Sequence, residues 1–460
     1  MGGWDIETDL LVVGAGACGF AAAIAARDAG LQVAIVEKLD RAGGNSALST
    51  GSVPAANSRF QREAGIKDSP ERMIEDLMRQ GGPHECPEIT RALSEQSASL
   101  VEWLVDVAAA RMSLITDYCH VGHSVPRLHA PRSRRGKDLV DDLVAAVESR
   151  SVPIAVGNPV KELVADAGGA VTGAVVVDKS GAASRIGARK ILLATNGYAA
   201  NKTLVREFCP EIAGAEYFGA LGSTGDAVTW GRGLGAGLAN IGAYQGYAAV
   251  AYPQGSLLSW TTIEKGGILV SQDGTRFGDE SIGYSGYAKN VMAQGEFAYA
   301  VFDRRIFDVT SKEEEFVELA KHGGVKTADT PAALARFFDV DATGLAATLE
   351  AYRRAARGEA PDPFGRREFG LAPLEAPLFV CRVKPGLFHT QGGLRIDTRA
   401  RVLKADGAAI PNLFAGGGAA AGISGRDGGR GYSSGNGLLT ALGLGRIAGL
   451  TAADEIRSGR

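Results

Sequence analysis

Gly14, Gly16 and Gly19 stand in the run Gly14-Ala15-Gly16-Ala17-Cys18-Gly19, and Glu37 with Lys38 follows about 20 residues on. This spacing suits one task, the holding of an adenine dinucleotide. Gly14 makes the tight turn, Gly16 lets the backbone approach a pyrophosphate, and Gly19 lets helix and strand pack closely. Ala17 and Cys18 complete the turn, and the helix that follows offers the diphosphate unpaired N–H groups and a partial positive charge. Glu37 can accept hydrogen bonds from ribose hydroxyls. A second cluster comes at once, Gly43-Gly44-Asn45-Ser46 and Ser49-Thr50-Gly51-Ser52. An ordinary nicotinamide domain continues with another helix and strand here. Gly44, Asn45, Ser46, Gly51 and Ser52 instead supply amides and hydroxyls for a second phosphate-sugar arm, which points to non-covalent FAD in an extended form rather than NAD.

These groups need elements to position them. Residues 9–13 read as a buried parallel strand, 20–29 as an alanine-rich helix and 32–36 as a second strand. Helical patterns follow at residues 70–80 and 87–105. Residues 118–136 read as a polar loop with His120, His123, Arg127 and His129. Strands are expected at 171–177 and 191–194, the second running into Thr195-Asn196-Gly197, where backbone meets cofactor again. Composition turns Gly- and Tyr-rich after Leu221, helices return at 312–321, 331–338 and 345–358, and a helix from about Leu438 closes the chain. The expected fold is α/β: a Rossmann-like FAD-binding domain (residues 1–242 and 376–460) split by an inserted α+β capping domain (243–375).

Composition excludes several classes. The net charge of −3 gives no basic field for nucleic acid or an anionic membrane. The 63 glycines, about twice the usual share, sit in loops rather than in a repeat. The five cysteines include no CxxC and no CxxCH, so they read as reduced thiols of a cytoplasmic protein without haem, cluster or zinc. Glycines and charges interrupt every apolar run long enough to span a bilayer, and the first residues lack a secretory pattern.

The chain resembles the flavoproteins of fumarate reductase and succinate dehydrogenase, with their relatives the 3-ketosteroid dehydrogenases. The resemblance is carried by GAGACG with Glu37, GGNSALSTG, GHSVPRLHAP, ATNGY, GSTGDAV, GILVSQDGTRFGDE, LEAYRRAARG, PGLFHTQGGLRID, IPNLFAGGG and YSSGNGLLTALGLGRIAG. It implies a split FAD domain, a mobile cap and an active site at their junction. It also implies cofactor contacts at Asp226, Gly417, Asn436, Leu438 and Leu439. Fumarate reductases clamp a dicarboxylate with two arginines and two histidines. Here His389 matches one histidine. Tyr284, four residues after Glu280, stands for the proton-delivering arginine, and Tyr432 for the carboxylate-binding one. The other histidine falls near Tyr247, and the acid and arginine that feed protons fall at Trp260 and Ile263.

The exchange of arginine for tyrosine has a chemical meaning. A guanidinium grips a carboxylate bidentately and cannot be deprotonated; a phenol donates one hydrogen bond, suited to a neutral carbonyl, and can titrate. The 3-ketosteroid dehydrogenases use such a tyrosine pair, but their pattern lacks the histidine kept here as His389. The expected reaction is α,β-dehydrogenation of a cyclic ketone such as a 3-oxosteroid or substituted cyclohexanone. Tyr432 with the amides around Gly435 and Asn436 holds the carbonyl oxygen, Tyr284 takes the α-proton, and the β-hydrogen leaves as hydride to the flavin. Tyr247, Tyr118 or Tyr287 would stabilise a Tyr284 phenolate. His389 joins that network or holds a second polar group, and Phe388 and His123 line the substrate. An unidentified electron acceptor completes the cycle.

Two other readings stay open: a reductase of an activated alkene (enone or fumarate-like enoate), and the flavin subunit of an electron-transfer complex. Tyrosine is not in excess, at 11 residues, so spacing alone does not single these out. Cys119, His120, His123 and His129 fit no standard zinc spacing. Arg132, Arg134 and Arg135 read as a solvated face, and the glycine-rich stretch 416–431 with Arg426 and Arg430 as a loop over cofactor or substrate.

Overall fold

A computed structural model describes residues 3–117 and 119–459 and divides the chain into two compact units. The first comprises residues 1–209, 219–244 and 389–460, the second residues 210–218 and 245–388. The second unit therefore takes in a short segment upstream of the expected cap and extends past residue 375 to Phe388.

The first unit is built on a mixed sheet whose central strands run parallel, with helices packed on it. β1 (Ile6–Val13) leads through the glycine turn into α1 (Ala17–Asp28), and β2 (Val33–Glu37) lies parallel to β1 in the register Leu10↔Val33 to Val13↔Val36. On the other side β1 pairs with β3 (Ala183–Leu193), which pairs with β4 (Ala409–Ala415), both parallel. The carboxyl ends of these four strands put Gly14, Glu37, Thr195 and Gly416 along one edge, the usual position of a ligand crevice in an open α/β sheet. α2 (Asn436–Arg457) packs along α1. Gly445 and Gly449 make the close approach possible, since a Cβ at either would collide with the α1 backbone at Cys18 or Ala22.

α1 begins three residues before the sequence expectation, at Ala17, so the phosphate turn and the first helical turn are one continuous piece. A helix at Gly136–Glu148 was not expected, although Leu139, Val140, Leu143, Ala146 and Val147 bury a stripe at helical spacing. The polar-loop expectation for 118–136 is corrected in part. Arg132, Arg134 and Arg135 are exposed, but Leu128–Ala130 is a strand and Arg127 and His129 are buried.

The second unit is built on a mostly antiparallel sheet. Ala298–Asp303 pairs with Leu378–Thr390 in the register Ala298↔Val383 to Asp303↔Leu378, and Ile268–Val270 and Val325–Ala328 extend it. Helices include Gly283–Met292 and Ala342–Ala356. The turn entering Gly283–Met292 is fixed by a buried ion cluster. Arg276 binds Glu280 at 2.7 Å and Asp362 at 2.5 Å, and Arg366 binds Glu280 at 3.2 Å. No helix among the described residues is long and apolar enough to cross a membrane.

Candidate active site

Glycine conformations build the phosphate end of the first unit. Gly14 has φ +114°, and a Cβ there would strike the Ala194 carbonyl. Gly16 caps α1 with no side-chain hydrogen bond, and no acidic residue occupies the first turn. Of the first amides, Ala17 donates to Ser46 Oγ (3.2 Å), which ties the second glycine cluster to the helix start. Gly44 faces open space, and Asn45 Oδ1 accepts from the Ala220 amide at 2.6 Å. Gly51 donates to Ser49 Oγ, and Ser52 Oγ bonds Thr50 Oγ1.

At the ribose end, Glu37 accepts from the amides of Ala15 (2.9 Å) and Leu39 (2.8 Å), so its carboxylate is aimed back over the turn. Lys38 and Asp226, both expected at the cofactor, pair with each other at 2.6 Å and share Thr224. Thr195 Oγ1 is buried without a partner among the described residues. Asn196, at φ +64°, bonds Ser223, and Gly197 abuts Thr390 too closely for any side chain. Gly417 also has positive φ. α2 starts at Gly435 in the left-handed region with no side-chain cap, and Leu438 and Leu439 lie buried in its first turns. Two helix N-termini without side-chain caps and a buried orphan hydroxyl suit an extended FAD, whose phosphates the α1 turn would hold. Burial pushes the Cys18 thiol up to about 12, so it stays protonated.

Beside α2 lies a polar cluster. Gln391 Nε2 donates to Asn436 Oδ1 (2.8 Å), Asn436 Nδ2 donates back to Gln391 Oε1 (3.0 Å), and Asn436 also bonds Ser424. The Asn436 side chain, expected at substrate and cofactor, is thus committed within the protein, and Gln391 was not anticipated. His389 sits beside this pair, with Nε2 3.5 Å from Gln391 Nε2 and Nδ1 3.4 Å from the Thr390 carbonyl. Desolvation lowers its pKa to about 4, so the ring is neutral near pH 7. His123 donates from Nε2 to the Ser434 carbonyl at 2.9 Å, and desolvation also brings it to about 4. Tyr432 is buried just before that residue, after an exposed Arg430.

The second unit holds the other expected residues. Tyr284 lies in the first turn of Gly283–Met292, its ring 4.9 Å from Tyr247 and 6.3 Å from Trp260. Phe388 contacts Tyr247 at 6.1 Å and stacks on Phe218. The expectation that Tyr247 supports a phenolate through its hydroxyl is corrected. That hydroxyl donates to the Leu258 carbonyl (2.9 Å), and burial pushes the phenol well above its ordinary value. Tyr287 stacks on Phe277 with its hydroxyl buried and unpartnered among the described residues. Tyr118 lies outside the described residues. No cluster of three or more His, Cys, Asp or Glu among the described residues is arranged to hold a metal.

A family model described as FAD binding domain matches residues 9–434. The chain is 32% identical over 454 residues to an NADH:fumarate oxidoreductase of Klebsiella pneumoniae (strain 342), covering 98% of this chain and 48% of that protein. It thus spans about half the length of that relative. Among solved structures, the open conformation of a flavocytochrome c3 fumarate reductase matches with a TM-score of 0.82 and 31% identity, over 98% of this chain and 79% of that one. The 3-ketosteroid-Δ4-(5α)-dehydrogenase of Rhodococcus jostii RHA1, in complex with 4-androstene-3,17-dione, matches with a TM-score of 0.81 and 26% identity, over 98% of each chain.

Proposed function

This chain belongs to the FAD binding domain family, in the fumarate reductase and succinate dehydrogenase flavoprotein superfamily, and from that premise we propose that it dehydrogenates a cyclic ketone between its α and β carbons. The observation that carries this reading is the pair Tyr284 and Tyr432, which stand where the resemblance expects arginines. Burial favours the neutral form of His389, so its ring does not replace the missing guanidinium charge. A diacid brought to such a group of residues would lose its water without gaining a counter-charge. A ketone loses far less.

In this reading Tyr432 donates its phenolic hydrogen to the substrate carbonyl oxygen, together with the Gly435 amide, and stabilises the enolate as charge develops. Tyr284 accepts the α-proton. A free phenol has a pKa of about 10, so Tyr284 acts as proton acceptor only when substrate and flavin are in place. Tyr247 and Trp260 pack against its ring and limit solvent there. Bound FAD supplies the two-electron acceptor for the β-hydrogen, transferred as hydride. A 3-oxosteroid or a substituted cyclohexanone fits this chemistry, and the resemblance to the Rhodococcus dehydrogenase, crystallised with a steroid dione, supports it.

The similarity to fumarate-reducing flavoproteins supports a second reading, reduction of an activated C=C bond with tyrosine as proton donor. With His389 neutral, an enone suits that reading better than a dicarboxylate. Tyr284→Phe separates chemistry from binding in either direction: turnover falls while FAD content and ligand affinity persist.

A further inference from the structure

His123 was expected to touch substrate, yet both of its ring nitrogens face protein groups. Nε2 donates to the Ser434 carbonyl at 2.9 Å, and the Ser434 amide donates back to the Val121 carbonyl at 2.9 Å. The loop bearing His123 is thereby zipped to the segment that follows Tyr432. Gly122 allows the approach, since a Cβ there would strike Ser433. Behind the imidazole lies Arg127, whose side chain is 0% exposed. It forks onto Asp68 through Nε (2.7 Å) and Nη2 (2.8 Å), and onto Asp76 through Nη1 (2.6 Å). The same Nη1 lies 3.5 Å from His123 Nδ1. Asp76 is also bound by the Ser124 amide and hydroxyl.

This arrangement fixes the tautomer. A guanidinium has only donors, so the nitrogen facing it serves as acceptor and the proton resides on Nε2. The consequence passes through the peptide plane. In a trans peptide the carbonyl of Ser434 and the amide of Gly435 point in opposite directions, and rotating that plane moves both. Pinning the Ser434 oxygen therefore aims the Gly435 N–H. Gly435 sits at φ +79°, where glycine turns the backbone freely, so the local chain does not set that direction by itself.

We infer that His123, braced by Arg127 with Asp68 and Asp76, is a positioning residue that orients the Gly435 amide toward the substrate's carbonyl oxygen. The inference rests on the ketone reading only for what the amide meets; the orientation itself is independent of it. Arg127 acts through His123, and neither side chain touches substrate.

The test uses the FAD-loaded protein and 4-nitrophenolate, an enolate-like anion whose absorbance reports binding. His123→Phe weakens 4-nitrophenolate about tenfold or more, as loss of an aimed oxyanion donor does, with FAD content unchanged. His123→Gln, whose amide nitrogen reaches the place of Nε2, restores affinity to near the wild-type value, whereas His123→Asn does not. Equal affinity in His123→Phe and wild type, or equal losses in the Gln and Asn variants, would overturn the inference. Should the wild type not bind 4-nitrophenolate, the ketone reading fails on its own, and a crystal structure of the His123→Phe holoenzyme then decides the orientation. A rotated Ser434–Gly435 peptide supports the positioning role, and an unchanged one removes it.

Discussion

The two units carry their candidate residues on opposite physical plans. In the first, polar side chains are paired with other protein groups: Asn436 with Gln391 and Ser424, His123 with Ser434, Arg127 with Asp68 and Asp76. In the second, Tyr284, Tyr247, Trp260, Tyr287 and Phe388 meet ring to ring, and the ion cluster of Arg276, Arg366, Glu280 and Asp362 anchors the turn from behind. Hydrogen-bond networks fix orientation, and aromatic surfaces fix shape and exclude water. An aromatic surface of this kind suits a neutral, largely apolar molecule better than a small dianion.

The largest expected effect lies on the aromatic side. Tyr284→Phe should lower kcat about 10²–10⁴-fold, the usual worth of a positioned proton acceptor, with KM little changed in steady-state assays. On the polar side, Tyr432→Phe should cost about 10²–10³-fold through loss of one oxyanion donor, and 4-nitrophenolate binding should weaken in parallel. If Tyr432→Phe cost as much as Tyr284→Phe in kcat and nothing in phenolate affinity, the assignment of roles would be reversed. Gln391→Ala removes the donor to the buried Asn436 Oδ1 while Nδ2 keeps Ser424, a penalty of about 1–3 kcal/mol, read as a lower Tm and looser FAD. Tyr247→Phe removes only the bond to Leu258, about 1 kcal/mol of stability, and should leave turnover nearly intact.

Acid sharpens the same contrast. His389 and His123 have folded pKa values of about 4 against an ordinary 6.5, so the fold favours their neutral forms. Their contribution is complete above about pH 6.5, the ordinary imidazole value. It is lost as pH falls toward 4, because the unfolded chain then binds more protons. Thermal melts of the holoprotein between pH 7 and 4 should show this decline, and His389→Gln should make it shallower while His123 and His129 keep their share. Turnover should show no His389 ionisation near 6.5.

The strand–turn–helix at β1 and α1 was legible because its signals are local: three glycines and an alanine run fall within one turn of chain. The buried stripe of Gly136–Glu148 was equally local, and reading it as helix required only extending the periodicity past Gly136. Other features depend on distant partners. Arg127 looked like one more charge in a polar loop, since nothing nearby announces that Asp68 and Asp76 neutralise it. Gln391 and Asn436 lie far apart in the chain, and neither is distinctive until they pair. The tyrosines stood out through resemblance rather than spacing, and only the fold shows that Tyr247 presents its ring, not its hydroxyl, to Tyr284.

The most direct test is anaerobic: the flavin absorbance of the purified holoprotein, followed on mixing with cyclic ketones of increasing ring count and with saturated diacids. Desaturation predicts rapid bleaching by a saturated cyclic ketone, none by a diacid, and loss of the bleaching in Tyr284→Phe. Absence of bleaching by every ketone, with reoxidation of the dithionite-reduced protein by an enone or enoate, would contradict it and make the chain a reductase.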